Sequence, residues 1–145
     1  MAQAPALAAA AGVRRLRWVD ADFADWPLDD EGLLQGLGRW LRLPQRELLL
    51  LGADFETVAQ RRPRFMAWYR DRTHAVHAWT PLAAEDRELP TLLLIDGAAA
   101  LQVFDRRHWR ARWGAGAAEV QPWGHQIDAL LQRCAPALAA TTLGL

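Results

Sequence analysis

Apolar and polar positions along this chain alternate between two kinds of pattern. Short unbroken apolar runs, Leu48-Leu49-Leu50-Leu51 and Leu92-Leu93-Leu94-Ile95, predict strands covered on both faces. Apolar residues at helical spacing, Leu33, Leu34, Leu37, Trp40 and Leu41 and then Ile127, Leu130, Leu131 and Cys134, predict helices with one buried stripe. The stretch from Leu89 to Trp113 organises the rest. It holds a buried strand, Asp96-Gly97, a second apolar run and the basic, Trp-flanked segment Arg106-Arg107-His108-Trp109-Arg110-Ala111-Arg112-Trp113. Asp-Gly between apolar runs predicts a hairpin, because Gly tolerates the positive φ that tight turns need.

Taken in order, residues 1–12 form an Ala-rich, non-periodic tail, expected to be disordered, and residues 13–145 a single domain. Leu16–Val19 reads as a strand and Asp20–Asp30 as a loop, with Asp29 or Asp30 capping the helix that follows. Gly32, Gly36 and Gly38 weaken that helix by ~1 kcal/mol each relative to Ala, so packing must hold it. Pro44 ends it. Glu47–Gly52 is the second strand, and Asp54 is placed to cap a helix from Phe55 that Pro63 interrupts or restarts. Ala75–Trp79 is a third strand, and Thr80–Glu88 a polar connection with room for one helical turn. Thr91–Ile95 and Ala99–Phe104 form the hairpin. Asp105 caps a short helical turn through His108 and Trp109, Gly114 and Gly116 mark a loop, and a last helix starts at Ala118 or Trp123 and runs to Cys134, where Pro136 stops it. The order β-α-β-α-β-β-β-α predicts an α/β sandwich with a mixed sheet and helices on both faces: three parallel strands, then an antiparallel hairpin. Its expected core includes Leu48, Leu50, Leu92, Leu94, Val103, Ile127 and Leu131. Trp18, Trp40, Trp68 and Trp79 are expected to add core volume, while Trp26 or Trp123 could sit at an interface.

The 17 basic residues, all Arg, balance 17 acids, so the total charge gives no long-range pull toward nucleic acid or anionic membrane. The single cysteine, Cys134, excludes an internal disulfide and a Cys-based zinc cage and fits a reducing compartment. The apolar N-terminus has no basic residue ahead of it, unlike a signal peptide, and no run reaches the ~18 residues of a membrane span. These features predict a cytoplasmic protein that does not engage a membrane.

Candidate chemistry is sparse. His74 and His77 stand on opposite faces if they share a strand, which prevents joint chelation, and no other ligand lies near in sequence; no metal site is expected. Asp96 and Asp105 flank the second hairpin strand. Paired carboxylates can divide acid and base roles, but turn and cap chemistry explains both. Cys134, on the predicted apolar stripe, reads as a small buried residue. No GxSxG, Walker A or GxGxxG pattern occurs. The strongest local feature is Arg106, Arg107, Arg110 and Arg112 with Trp109 and Trp113. Guanidinium forks bind phosphate and indoles stack on bases. The alternative is a surface turn with Trp anchors and Arg heads in water.

The strand order and hairpin resemble one half of the phospholipase D-like fold. That superfamily carries His-x-Lys-x-x-x-x-Asp on a strand entering a hairpin turn. With its Asp at Asp96, the Lys position holds Thr91 and the His position Leu89. In the family His is the nucleophile and Lys binds phosphate, so the resemblance implies the fold without the activity, as in catalytically empty bacterial domains of this type. Catalytic members join two halves about a pseudo-twofold axis, which implies a homodimer for a single half. The expected role is non-enzymatic binding or scaffolding, without a cofactor, toward a second copy or a protein partner. The alternatives are a phosphate- or nucleic-acid-binding module built on the Arg/Trp cluster and a cryptic hydrolase using Asp96, Asp105 and a histidine.

Overall fold

The computed structural model describes residues 12–138. The expected loose tail lies, apart from Gly12, outside the described residues. Within the described residues the fold is α/β, with seven strands and four α-helices. The strands are β1 (Arg15–Asp20), β2 (Glu47–Gly52), β3 (Val76–Pro81), β4 (Thr91–Ile95), β5 (Ala99–Asp105), β6 (Arg110–Ala115) and β7 (Cys134–Pro136). The helices are α1 (Glu31–Leu41), α2 (Glu56–Arg61), α3 (Pro63–Arg70) and α4 (Ala117–Leu131), and a 3₁₀ turn spans Ala84–Asp86.

The strands form one mixed sheet in the order β6-β5-β4-β1-β2-β3-β7, with β1 at its centre. β1, β2 and β3 are parallel, Trp18 pairing with Leu50 and Leu50 with Ala78. β4 runs antiparallel to β1, and β5 and β6 continue antiparallel outward. The β4–β5 turn holds three residues, Asp96, Gly97 and Ala98, between the paired Ile95 and Ala99. Gly97 adopts φ +79°, and the Ala98 N–H donates to the Ile95 carbonyl at 2.9 Å. This is the left-handed position that favours glycine.

Side chains alternate between two buried layers, as the period of a strand requires. Leu16, Trp18, Leu48, Leu50, Val76, Leu93 and Ile95 pack with Leu33, Leu37 and Trp40 of α1, Val58 of α2 and Phe65 and Trp68 of α3. Val19, Leu49, Leu51, Leu92, Leu94 and Ala100 pack with Val120 and Ile127 of α4. Local chemistry starts the helices on the first layer. Asp30 caps α1 by accepting from the Leu33 N–H at 2.8 Å, and Pro63 occupies the first turn of α3, where a missing N–H is harmless. Asp54 accepts from the Glu56 N–H at 2.8 Å at the start of α2. At the end of β2 a Cβ on Gly52 would lie 2.9 Å from the Phe23 ring and 3.0 Å from that of Phe55. The absence of a side chain there lets these two stacked rings close the core.

Several expectations are corrected. The segment around Gly114 is strand β6, not a loop: Trp113 pairs with Leu101 and Gly114 with Ala100. The last helix ends at Leu131, and Cys134 opens β7, which pairs with β3 through Pro81, Thr80 and Trp79. The backbone turns because the Leu82 N–H takes the Arg133 carbonyl at 3.0 Å, pulling the chain onto the sheet edge. Cys134 is half-buried, and burial, aided by Asp86 and opposed by Arg133, pushes its thiol pKa up, which suits an unreactive residue. Pro136 therefore sits in an edge strand rather than after a helix. Leu131 and Trp79 are only half-buried, whereas Trp26 is fully enclosed, its indole edge-on to Trp18 with centroids 4.9 Å apart. Leu48, Leu50, Leu92, Leu94, Val103 and Ile127 are buried as expected.

Leu50, wholly buried in a central strand, provides a direct measure of this core. Leu50→Ala is expected to lower unfolding free energy by ~2–5 kcal/mol in urea titration.

Candidate functional site

The predicted Arg/Trp cluster lies on one hairpin, but its members have different surroundings. Arg106, Arg107, His108 and Trp109 form the turn between β5 and β6; Arg110, Arg112 and Trp113 stand on β6. Asp105 shapes this turn by accepting from the His108 N–H at 3.1 Å, and its other oxygen lies 3.0 Å from His108 Nδ1. Trp109 takes φ +52°, unusual for a bulky residue, and is held by an edge-on contact with Trp26 at 5.4 Å.

Arg106 turns toward the acidic loop that follows β1. Its Nη2 lies 3.1 Å from Asp25 Oδ2, 3.2 Å from Asp22 Oδ1 and 3.7 Å from Asp20 Oδ2. Burial disfavours its charge, but Asp20, Asp25 and Asp22 outweigh that and hold its pKa above the usual guanidinium value. Arg112 reaches α4 and donates to both carboxylate oxygens of Glu119, at 3.1 and 3.2 Å. Among the described residues Arg107 and Arg110 enter no ion pair, and the Arg110 guanidinium lies 6.0 Å over the Phe104 ring. The cluster is thus two committed arginines, two free ones, and three exposed aromatic side chains, Phe104, Trp109 and Trp113, at 58%, 43% and 48% exposure.

Asp20 anchors the inward side. It closes β1 with no exposed surface. One carboxylate oxygen accepts from the Thr91 hydroxyl of β4, and the other from the Phe23 N–H at 2.7 Å. Thr91 is therefore a buried partner of Asp20. Leu89 is half-buried against the α4 layer.

Asp96 has a defined structural contact. Its Oδ1 accepts from Arg17 Nε at 3.0 Å and Nη2 at 2.8 Å, and Arg17 Nη1 donates to Asp128 of α4 at 2.7 Å. Arg17 is 4% exposed. Asp96 and Asp105 lie at opposite ends of β5, so the structure does not unite them as a carboxylate pair. His74 follows α3 in a turn, while His77 stands on β3 with Nε2 3.8 Å from Glu47 Oε2. Among the described residues no group of three His, Cys, Asp or Glu is placed to hold a metal ion, and no helix is long and apolar enough to cross a membrane. Neither a protein-family model nor a curated protein sequence matches this chain.

Asp20, Asp22, Asp25, Arg17 and Asp128 were not legible as site residues. The first three stand in a segment that reads as an ordinary acidic loop, and its spacing (Asp20, Asp22, Asp25) was the one available signal. Their arginine partner follows more than eighty residues later.

The buried Thr91–Asp20 contact is directly testable. Thr91→Val keeps the shape but leaves a buried carboxylate oxygen without its donor, and is expected to lower stability by ~1–3 kcal/mol. A shifted urea midpoint at unchanged slope would register the loss.

Proposed function

We propose that this chain is a non-catalytic binding or scaffolding domain, a degenerate phospholipase D-like half, that associates through the outer edge of β6, first with a second copy of itself. The reading is supported above all by the contrast between the two sheet edges. β7 is three residues long and ends in Pro136, a blunted edge. β6 is six residues long, ends the sheet on the other side and stands beside exposed Phe104, Trp109 and Trp113. An edge that is unpaired among the described residues and flanked by aromatic side chains is suited to strand addition.

Self-pairing has a favourable register. A twofold axis through Trp113 sets this indole against its own copy, Ala111 against Ala115 and Arg112 against Gly114, with no like charges directly opposed. The non-catalytic part of the reading is supported by Leu89 and Thr91 at the two lost motif positions and by the Arg17 contact that occupies Asp96. A phosphate- or nucleic-acid-binding role for the hairpin would rest on Arg107 and Arg110, since Arg106 and Arg112 already meet carboxylates; we place it second.

Light scattering on the purified chain at ~50 μM, a level at which micromolar self-association registers, is expected to give a dimer mass. Trp113→Lys, which puts a charge on the edge at a half-exposed position, is expected to give a monomer with a melting temperature close to the original. A monomeric parent chain would overturn self-association. A dimer indifferent to Trp113→Lys would place the interface elsewhere.

A further inference from the structure

The helical layer holds an arrangement that edge association leaves unexplained. A groove of about 560 Å³ lies between α1 and α3. Arg39 and Arg42, at the C-terminal end of α1, line it together with Arg64, in the first turn of α3, and Arg72, just beyond the end of α3. Glu31 is the one acid in the lining. Arg15, Arg17, Arg106, Arg112 and Arg133 each meet a carboxylate. Among the described residues the four groove arginines meet none. In a chain whose charges balance, four guanidinium groups converging on one groove create a local positive field that an anion would relieve. Arg64 is placed against helix stability as well: the first turn of a helix favours acids, and α3 has none there.

The floor of the groove adds an independent observation. Trp68 is 9% exposed, and its Nε1 is buried without a hydrogen-bond acceptor among the described residues. Trp18 and Trp26 share that lack, but do not line this groove. The Arg72 guanidinium lies 4.8 Å over the Trp68 ring, and its Nη1 donates to the Trp68 carbonyl at 2.9 Å. This fixes the fork while leaving Nη2 and Nε available. Opposite them α1 presents Gly38. A Cβ there would lie 3.4 Å from Arg72 Nη2 and 3.5 Å from Trp68 Nε1. Gly38 therefore places no side chain over these donors, and Trp68 Nε1 has no acceptor among the described residues.

Guanidinium forks match the oxygens of phosphate. Arg72 already covers the face of Trp68, so the groove supplies no platform for stacking a base, and its volume is that of a small-molecule site. We propose that the α1–α3 groove binds a small, multiply charged phosphoanion, a di- or triphosphate group seated over Gly38. Arg39, Arg42, Arg64 and Arg72 contact its oxygens, and Trp68 Nε1 donates to one of them. The group can come from inorganic polyphosphate or from a nucleoside polyphosphate.

Isothermal titration of the full chain with sodium tripolyphosphate and, separately, with ADP tests this. Tripolyphosphate is expected to bind. Arg39→Ala combined with Arg42→Ala is expected to weaken binding at least about tenfold, because hydrogen bonds between charged partners are lost. Both side chains are exposed, so the double variant should retain the parent melting temperature. The Trp68 indole N–H resonance, assigned by its disappearance in Trp68→Phe, is expected to shift during titration. Binding of ADP as well would support the nucleotide source, and tripolyphosphate binding alone the inorganic one. Absence of heat with tripolyphosphate at about 1 mM, the weakest affinity a specific site would show, would overturn the proposal. So would equal affinity in the double variant, a stationary Trp68 resonance, or binding of single-stranded DNA without tripolyphosphate.

Discussion

A buried guanidinium on the central strand holds the two sides of this fold in register. Arg17 points from β1 into the layer covered by α4, where an unpaired charge would be strongly unfavourable. Three groups from two parts of the chain that are distant in sequence neutralise and satisfy it. Asp96 comes from the β4–β5 turn, Asp128 from α4, and the Gly124 carbonyl, 3.4 Å from Nη1, from the same helix. Gly124 is also the point of closest approach, since a Cβ there would lie 2.9 Å from Arg17 Nη2. The helix passes over the strand at this position because it carries no side chain. Arg15 reinforces the set from the rim, 3.8 Å from both Asp96 and Asp128 and 3.4 Å from Glu47.

This constraint propagates to the outer sheet. Fixing the Asp96 turn fixes β4 and β5, and thereby the position of β6 and its aromatic edge. A second buried charge performs the same task at the other end of β1. Asp20 ties β1 to β4 through Thr91 and draws Arg106, at the far end of the β5–β6 hairpin, toward the acidic loop. The two ends of the central strand thus hold the hairpin from opposite sides. The polar residues most suggestive of chemistry in the linear chain are largely consumed in this work, and the surfaces left over are the β6 edge and the arginine-lined groove between α1 and α3.

Much of the architecture was legible because local physics decided it. The leucine runs of β2 and β4 read as covered strands, the cap of α1 was narrowed to Asp29 or Asp30, of which the structure uses Asp30, and Gly97 supplied the positive φ the turn requires. β6 was not legible because Arg110 to Ala115 lacks apolar alternation and contains Gly114; it is a strand because β5 offers it a ladder. β7 was hidden by helical spacing that continues through Leu130, Leu131 and Cys134 past the true end of α4. The Arg106–Trp113 cluster was visible as a run of like charges, but its neutralisation by Asp22, Asp25 and Glu119 depends on tertiary placement. The groove escaped notice for the converse reason: its arginines are spread over two helices and form no local run.

The central claim is that Asp96 serves the fold, as the partner of Arg17, rather than a reaction. Urea unfolding of Asp96→Asn tests it most directly. Removing this carboxylate leaves Arg17 with the Gly124 carbonyl and with Asp128 as its one carboxylate partner among the described residues, itself largely in solvent, and a loss of ~1–3 kcal/mol is predicted. Unchanged stability would contradict the account and return Asp96 to the residues available for catalysis.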